Sequence, residues 1–339
     1  MKRKTLKPGL WLLCLLWGWL AGLLWRTGTA APQGNRRVVR LHVPANTPTQ
    51  ALIQELRAQG LIRSPWAMRL WLRLTGQGIQ AGTYDLASNQ SLFQVAGQLQ
   101  KGFVATNRVT IPEGWRIEEM AAHFARLGYF SSREFKQATQ RATAQYFPDW
   151  LPPEVDTLEG FLFPDTYELP LQGVTASEVV KMMTDRFAAV ALPLYREKNQ
   201  TNLSLVQWVT LASIVEKEAV LDRERPTIAG VFWQRLQRGM KLEADPTVEY
   251  GLNIKQTPEA PLTLEQVRTP HPFNTYVNPG LPPHPIAAPG LASLQAALAP
   301  PQTDFLFFVA RYDGSHIFSR TLEEHEQAVA KIAEQFPGQ

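Results

Sequence analysis

Seventeen consecutive residues, Gly9 to Trp25, carry no charge and follow directly behind Lys2, Arg3, Lys4 and Lys7. A bilayer span needs roughly 20 apolar residues, with a lower limit near 17. Basic residues ahead of such a stretch hold its N-terminus in the cytoplasm. The expected layout is a cytoplasmic tail (1–8), a transmembrane anchor (9–25) and a polar linker (26–37), with the rest of the chain outside the cytoplasm. Thr29-Ala30-Ala31 offers the small residues of a signal-peptide cleavage site, but a cleavable apolar region is usually shorter, roughly 7–15 residues. A buried core helix suits the segment less well, because four tryptophans and no polar face fit lipid better.

The sequence pI near 9.2 invites a nucleic-acid reading, but position argues otherwise. Of 34 Lys and Arg, five lie in residues 1–26, which hold no Asp or Glu; the remaining 313 residues carry 29 basic and 30 acidic groups. The excess charge is therefore an orientation signal, and no nucleic-acid partner is expected. The single cysteine, Cys14, also lies in the apolar segment. The rest of the chain can form neither an intramolecular disulfide nor a Cys-ligated zinc site. Hydrophobic content of 45% allows a real core, and 339 residues suggest about two domains.

Two segments 68 residues apart resemble each other, Val39–Ile62 and Asn107–Phe130. Val43-Pro44 corresponds to Ile111-Pro112, and Leu52, Leu56, Gly60 and Ile62 to Met120, Phe124, Gly128 and Phe130. Each copy predicts a strand, a proline turn and a helix ended by glycine. Between them, Ile79–Leu86 reads as a strand and Ser91–Leu99 as a helix. This pattern resembles the LysM-like modules that bind N-acetylglucosamine polymers, although a structural αβ spacer would look the same. Trp115 could stack on a sugar ring or simply pack.

Pro148–Pro153 marks an expected boundary, giving a LysM-like αβ region (38–150) and a catalytic domain (151–339). Capping-box spacings open helices at Ser131, Thr175, Ser204, Thr263 and Thr321. Nine prolines between Leu252 and Gly290 make a long irregular stretch, which in a compact domain usually lines a functional cleft or is disordered; its aromatics Phe273 and Tyr276 argue for packing. Asp304–Arg320 reads as a hairpin turning at Asp313-Gly314, and Thr321–Phe336 as a closing helix. Asp245-Pro246 reads as a helix N-cap with proline in the first turn.

The segment Ser204–Asp222 predicts a helix apolar almost all round from Leu205 to Val215, hence buried on most sides. It ends with Glu216 and Glu218, which point about 200° apart at roughly 100° per residue. One cleft cannot easily receive both. A carboxyl at the end of a buried helix loses solvation, which raises its pKa and suits a general acid. Two solvated end-of-helix charges would be the plainer reading.

The blocks LEGFLFPDTYEL (158–169), LASIVEKEA (211–219), LEADPTVEYG (242–251) and PFNTYVNPGLPPHPIAAPG (272–290), with His316 in GSHIFS, carry a resemblance. In this order and spacing the chain resembles the endolytic murein transglycosylases, the MltG or YceG-like family. The resemblance implies an α+β fold: an N-terminal transmembrane helix, a LysM-like αβ module and an α+β YceG-like catalytic domain. It implies a single-pass protein of the cell inner membrane whose extracytoplasmic enzyme cleaves the bond between N-acetylmuramic acid and N-acetylglucosamine within nascent glycan strands. The product would carry a 1,6-anhydro-muramyl end. The family's catalytic glutamate, second in its E-K-E motif, corresponds to Glu218. No cofactor or metal is implied, and peptidoglycan synthases are the expected protein partners.

Substrate contacts are expected from Asp165, Tyr167, Glu216, Asp245, Asn274 and Tyr276, with structural roles as the alternative at each. His316 is a further candidate. The chain departs from the family pattern at Glu243, His284 and Ala288. Glu243 could supply a second carboxylate near the cleft, which keeps a water-using muramidase open as an alternative, and a non-catalytic wall-binding scaffold is the other.

Overall fold

The computed structural model describes residues 37–44, 47–101, 106–171, 173–257, 260–311 and 313–335. The expected tail, anchor and most of the linker lie outside these residues. Among the described residues no helix is long and apolar enough to cross a membrane. The fold of the described residues is mixed α+β, with three two-stranded sheets and mostly helical packing.

The chain divides into two compact units. One comprises residues up to Arg108 plus Glu168–Val174, and the other Val109–Tyr167 plus Thr175 onward. The division falls at Arg108, not near Pro148–Pro153 as expected from composition. Proline density at 148–153 marks a turn inside the larger unit. The second repeat copy is split by this division, and its turn and helix belong to the larger unit.

In the smaller unit, β1 (Val38–Val43) pairs antiparallel with β2 (Gly82–Ala87), Val38 opposite Ala87 and Val43 opposite Gly82. Among its described residues, three helices join the sheet: α1 (Thr49–Ala58), α2 (Pro65–Thr75) and α3 (Leu92–Lys101). Alternation puts Leu41 and Val43 inward to meet Tyr84 and Leu86, and the helices add Leu52, Leu56, Met68, Val95 and Leu99 to one core. The α2 helix was not expected. Its start signal is short: the Ser64 side chain accepts from the Ala67 N–H, and Pro65 follows at the first helical position.

The paired strands β3 (Thr106–Thr110) and β4 (Thr166–Pro170) carry the chain between the units. In the larger unit, α4 (Ile117–Arg126) and α5 (Ser132–Ala138) follow the second repeat turn. Both repeat copies are indeed strand, turn and helix. In both, the helix ends beside a left-handed glycine, Gly60 at φ 72° and Gly128 at φ 79°.

The long helix α6 (Ala176–Lys198) precedes α7 (Leu205–Glu218), a 3₁₀ turn at Asp222–Glu224, and α8 (Arg225–Gln237). Then come α9 (Asp245–Leu252), the short α10 (Leu264–Arg268) within the proline-rich stretch, and α11 (Leu291–Leu298). The hairpin β5 (Phe307–Ala310) and β6 (His316–Ser319) forms as expected, followed by α12 (Leu322–Gln335). The core centres on α7. Trp208 is fully buried, stacks on Tyr195 at 5.2 Å and donates its indole N–H to the Leu294 carbonyl at 2.9 Å. That bond ties α7 to α11, against which α8 also packs.

Candidate active site

The apolar all-round character of α7 buries every residue from Trp208 to Glu216. The two glutamates at its end separate as the helical angle requires. Glu216 turns inward. Its Oε1 meets Arg225 Nη2 at 2.9 Å, and its Oε2 accepts the Gly290 N–H at 2.9 Å. Arg225 is held in turn by Ser293 Oγ at 2.9 Å and by Asp222. One turn earlier, Ser213 Oγ accepts the Ile286 N–H at 3.0 Å. This face of α7 therefore fastens the end of the proline-rich stretch. Both carboxylate oxygens of Glu216 are thus engaged within the protein, Oε1 in a buried ion pair and Oε2 on a backbone N–H, which gives it a structural role in place of the expected substrate contact.

The same loop receives the second repeat turn. Gly114 N–H donates to the Ala288 carbonyl, and Ala288 N–H to the Trp115 carbonyl, both at 2.8 Å. Trp115 itself packs edge-on against His123 at 5.1 Å. The close approach has a marker at Gly160, at φ 83°, where a Cβ would lie 2.2 Å from Pro285 Cβ.

Glu218 faces away from that framework, into a cleft of about 470 Å³ shared with Glu243, Asp245, Tyr276, His316 and His325. Burial pushes its carboxyl up to about 8, and the negative charges of Asp245 and then Glu249 add to the shift. Glu218 is thus a protonated acid at neutral pH, in an open cleft.

Asp245 was expected to cap α9, and it does not. Ala244 occupies the cap position, and its N–H donates to Thr275 Oγ1 at 3.0 Å. The freed Asp245 carboxylate accepts the Tyr276 hydroxyl at 2.6 Å and the Gln256 side-chain amide at 3.2 Å. Burial and the adjacent Asp245 push the Tyr276 phenol up, so it remains a donor. Tyr276 is set in place by Asn274, whose Oδ1 accepts its N–H at 2.9 Å. The Asn274 amide donates to the Val267 and Thr269 carbonyls, both at 2.9 Å. Asn274 is 1% exposed with its polar atoms so used, and it holds the loop instead of meeting substrate.

Glu243 sits in a left-handed conformation and pairs with Arg235 Nη1 at 2.9 Å. His316 is oriented by Glu224, Nδ1 lying 2.8 Å from Oε2 and the backbone N–H 3.3 Å from Oε1. Asp165 and Tyr167 are not among the residues lining this cleft. Asp165 pairs with Arg186 at 2.7 Å, and the buried Tyr167 hydroxyl donates to the Phe163 carbonyl at 2.5 Å. A strand-end acid with a nearby base and a tyrosine closing its own turn account for that motif structurally.

Sequence reasoning missed Glu159. It is buried, accepts the Ile117 N–H at the start of α4 at 3.1 Å, and is pushed up to about 7 by burial. Its place beside Gly160, inside an apolar run, was the available signal. The Glu224 partner of His316 was also missed, because 92 residues separate the two.

A sequence profile of the YceG-like family matches residues 41–331. The chain belongs to the YceG-like family. Its relatives include the endolytic murein transglycosylase of Bacillus subtilis, 29% identical over 310 residues covering 88% of this chain and 85% of that protein. The protein of that name from Streptococcus pneumoniae is 26% identical over 330 residues, covering 88% of this chain and 59% of that protein. Among solved structures, a YceG-like protein from Listeria monocytogenes aligns with a TM-score of 0.58 and 27% identity, covering 87% of this chain and all of that one. The YceG-like region thus takes in β1 through most of α12, both units included.

Proposed function

We propose that this YceG-like chain is an endolytic peptidoglycan lytic transglycosylase, with Glu218 as its catalytic residue. The observation that carries the reading is a half-buried glutamate at the end of a buried apolar helix, lining a cleft beside Asp245 and Tyr276, where burial raises its carboxyl to about 8. The names of the relatives supply the substrate class.

Glu218 donates its proton to the glycosidic oxygen linking N-acetylmuramic acid to N-acetylglucosamine, and the C1–O bond breaks. The resulting carboxylate accepts the proton of the muramyl C6 hydroxyl. The C6 oxygen bonds to C1, giving a 1,6-anhydro end and returning Glu218 to its acid form. The 2-acetamido group can act as the internal nucleophile, so no second carboxylate is needed. Asp245, fixed by Tyr276, keeps Glu218 protonated and faces positive charge developing at C1. The enzyme is anchored by residues 9–25 with its body outside the cytoplasm, cuts nascent strands and works beside peptidoglycan synthases. The strand–turn–helix pattern of its own repeat copy supports a LysM-like, glycan-binding role for the smaller unit.

A second reading rests on Asp245 and Glu243 in the same cleft: glycosidases that use water work with paired carboxylates. A non-catalytic scaffold is separated from both by variants. Glu218→Gln should abolish glycan shortening, whereas folded Glu216→Gln should retain it. Equal activity in Glu218→Gln and wild type would overturn the assignment.

A further inference from the structure

The near-neutral charge of the chain beyond residue 26 hides a segregation. Beyond residue 26 the smaller unit carries nine Lys and Arg against three acids, Glu55, Asp85 and Glu168, a net of +6. The sequence of the larger unit carries 20 basic and 27 acidic residues, a net of −7. Asp85 is already paired with Arg40 at 2.8 Å. From Leu56 to Tyr84 the chain holds Arg57, Arg63, Arg69 and Arg73 with no acid at all.

This stretch contains α2. Its inner face, Ala67, Met68, Trp71 and Leu72, packs into the core of the smaller unit. Its outer face does not look like an ordinary solvated face. Trp66 is 45% exposed and Leu74 60%, with Leu70 between them. Arg69 and Arg73 lie exposed alongside, and Arg63 just before the helix. At 100° per residue these positions share one side of the helix. Exposed tryptophan and leucine flanked by arginine is the composition of a helix lying in a lipid interface. Tryptophan favours the headgroup level, and arginine reaches anionic lipid headgroups.

Chain length supports the same occupant. Residues 26–37 join the apolar segment to β1, and twelve residues span at most about 40 Å. A unit tethered so closely would meet the membrane surface continuously. We infer that the outer face of α2, through Trp66, Arg69, Leu70, Arg73 and Leu74, docks the smaller unit onto the anionic lipid surface beside the anchor. The docking rests on residues 9–25 being inserted, as proposed above.

The test uses the full chain in proteoliposomes. Cys14→Ser removes the native thiol, and Leu74→Cys carries an environment-sensitive fluorophore. Vesicles of phosphatidylglycerol mixed with phosphatidylcholine are compared with vesicles of phosphatidylcholine alone. Carbonate-resistant flotation reports the anchor separately, so a failed insertion cannot be mistaken for failed docking. The expected result is blue-shifted emission in the anionic vesicles only, weakening with added salt. Arg69→Glu with Arg73→Glu should abolish the shift, since each arginine contributes roughly fivefold near an anionic surface. Circular dichroism and retained glycan cleavage would show that this variant is folded. Water-like emission in both vesicle types, with the anchor inserted, would overturn the docking. An equal shift in neutral and anionic vesicles would overturn the anionic-lipid assignment.

Discussion

Glu216 and Glu218, two positions apart on α7, leave the helix on opposite sides: one is bonded to Arg225 at 2.9 Å, the other lines an open cleft. The division assigns structure to the first and chemistry to the second. Losing a partner from a buried ion pair costs about 3–5 kcal/mol. Glu216→Ala should therefore lower the thermal midpoint sharply, while the fraction that folds still cleaves glycan. Thermal unfolding and activity per folded molecule check both halves.

Glu218 should destabilise the enzyme it serves. Its folded pKa of about 8 lies above the ordinary 4.5, so the folded state holds a proton that the unfolded state releases. Stability is then fully present below pH 4.5 and is lost as pH rises through 8. Glu218→Gln removes this dependence. The variant should match wild type near pH 4 and exceed it by an amount on the order of 4 kcal/mol at pH 8. Denaturant unfolding at the two pH values measures the difference. Glu159, raised to about 7 by burial, adds a smaller decline of the same sign that both proteins share.

The rate should follow the acid form of Glu218 and fall as pH rises through about 8. Asp245 contributes to that raised value. Asp245→Asn keeps an acceptor for Tyr276 but removes the charge, so the alkaline limb of kcat/KM moves to lower pH. Activity at pH 8, relative to pH 6, should drop about threefold or more. A pH–rate profile of both proteins decides; an unmoved limb would remove Asp245 from the account.

Gly160 lets the loop containing Pro285 approach the core. A Cβ there would lie 2.2 Å from Pro285 Cβ, at a φ of 83° that side chains rarely adopt. Gly160→Ala should cost about 3 kcal/mol or more, from backbone strain and overpacking together. Since Pro285 precedes the loop held by Glu216, loss of activity should track loss of fold in a combined unfolding and activity assay.

Much of this was legible from local chemistry. The capping boxes at Thr175 and Ser204 depend on residues three apart, and both start helices where expected. The opposed directions of Glu216 and Glu218 follow from helical angle alone. What failed depended on distant partners. Asp245 and Tyr276, 31 residues apart, form a pair that no spacing rule predicts, and forming it draws Asp245 away from capping. Asn274 looked like an amide for sugar recognition, but its bonds close a loop. Asp165 and Tyr167 are consumed by Arg186 and a backbone carbonyl. The unit boundary was misplaced because proline density signals a turn, whereas contacts made by the second repeat turn decide which unit owns it.

The central claim is cleavage by Glu218 without water, and isotope labelling tests it most directly. Peptidoglycan strands are digested in water enriched in oxygen-18, and the new glycan ends are weighed. The new ends should be lighter by one water than reducing sugars and carry no oxygen-18, and Glu218→Gln should give no new ends. Reducing ends carrying oxygen-18 would contradict it and establish hydrolysis instead.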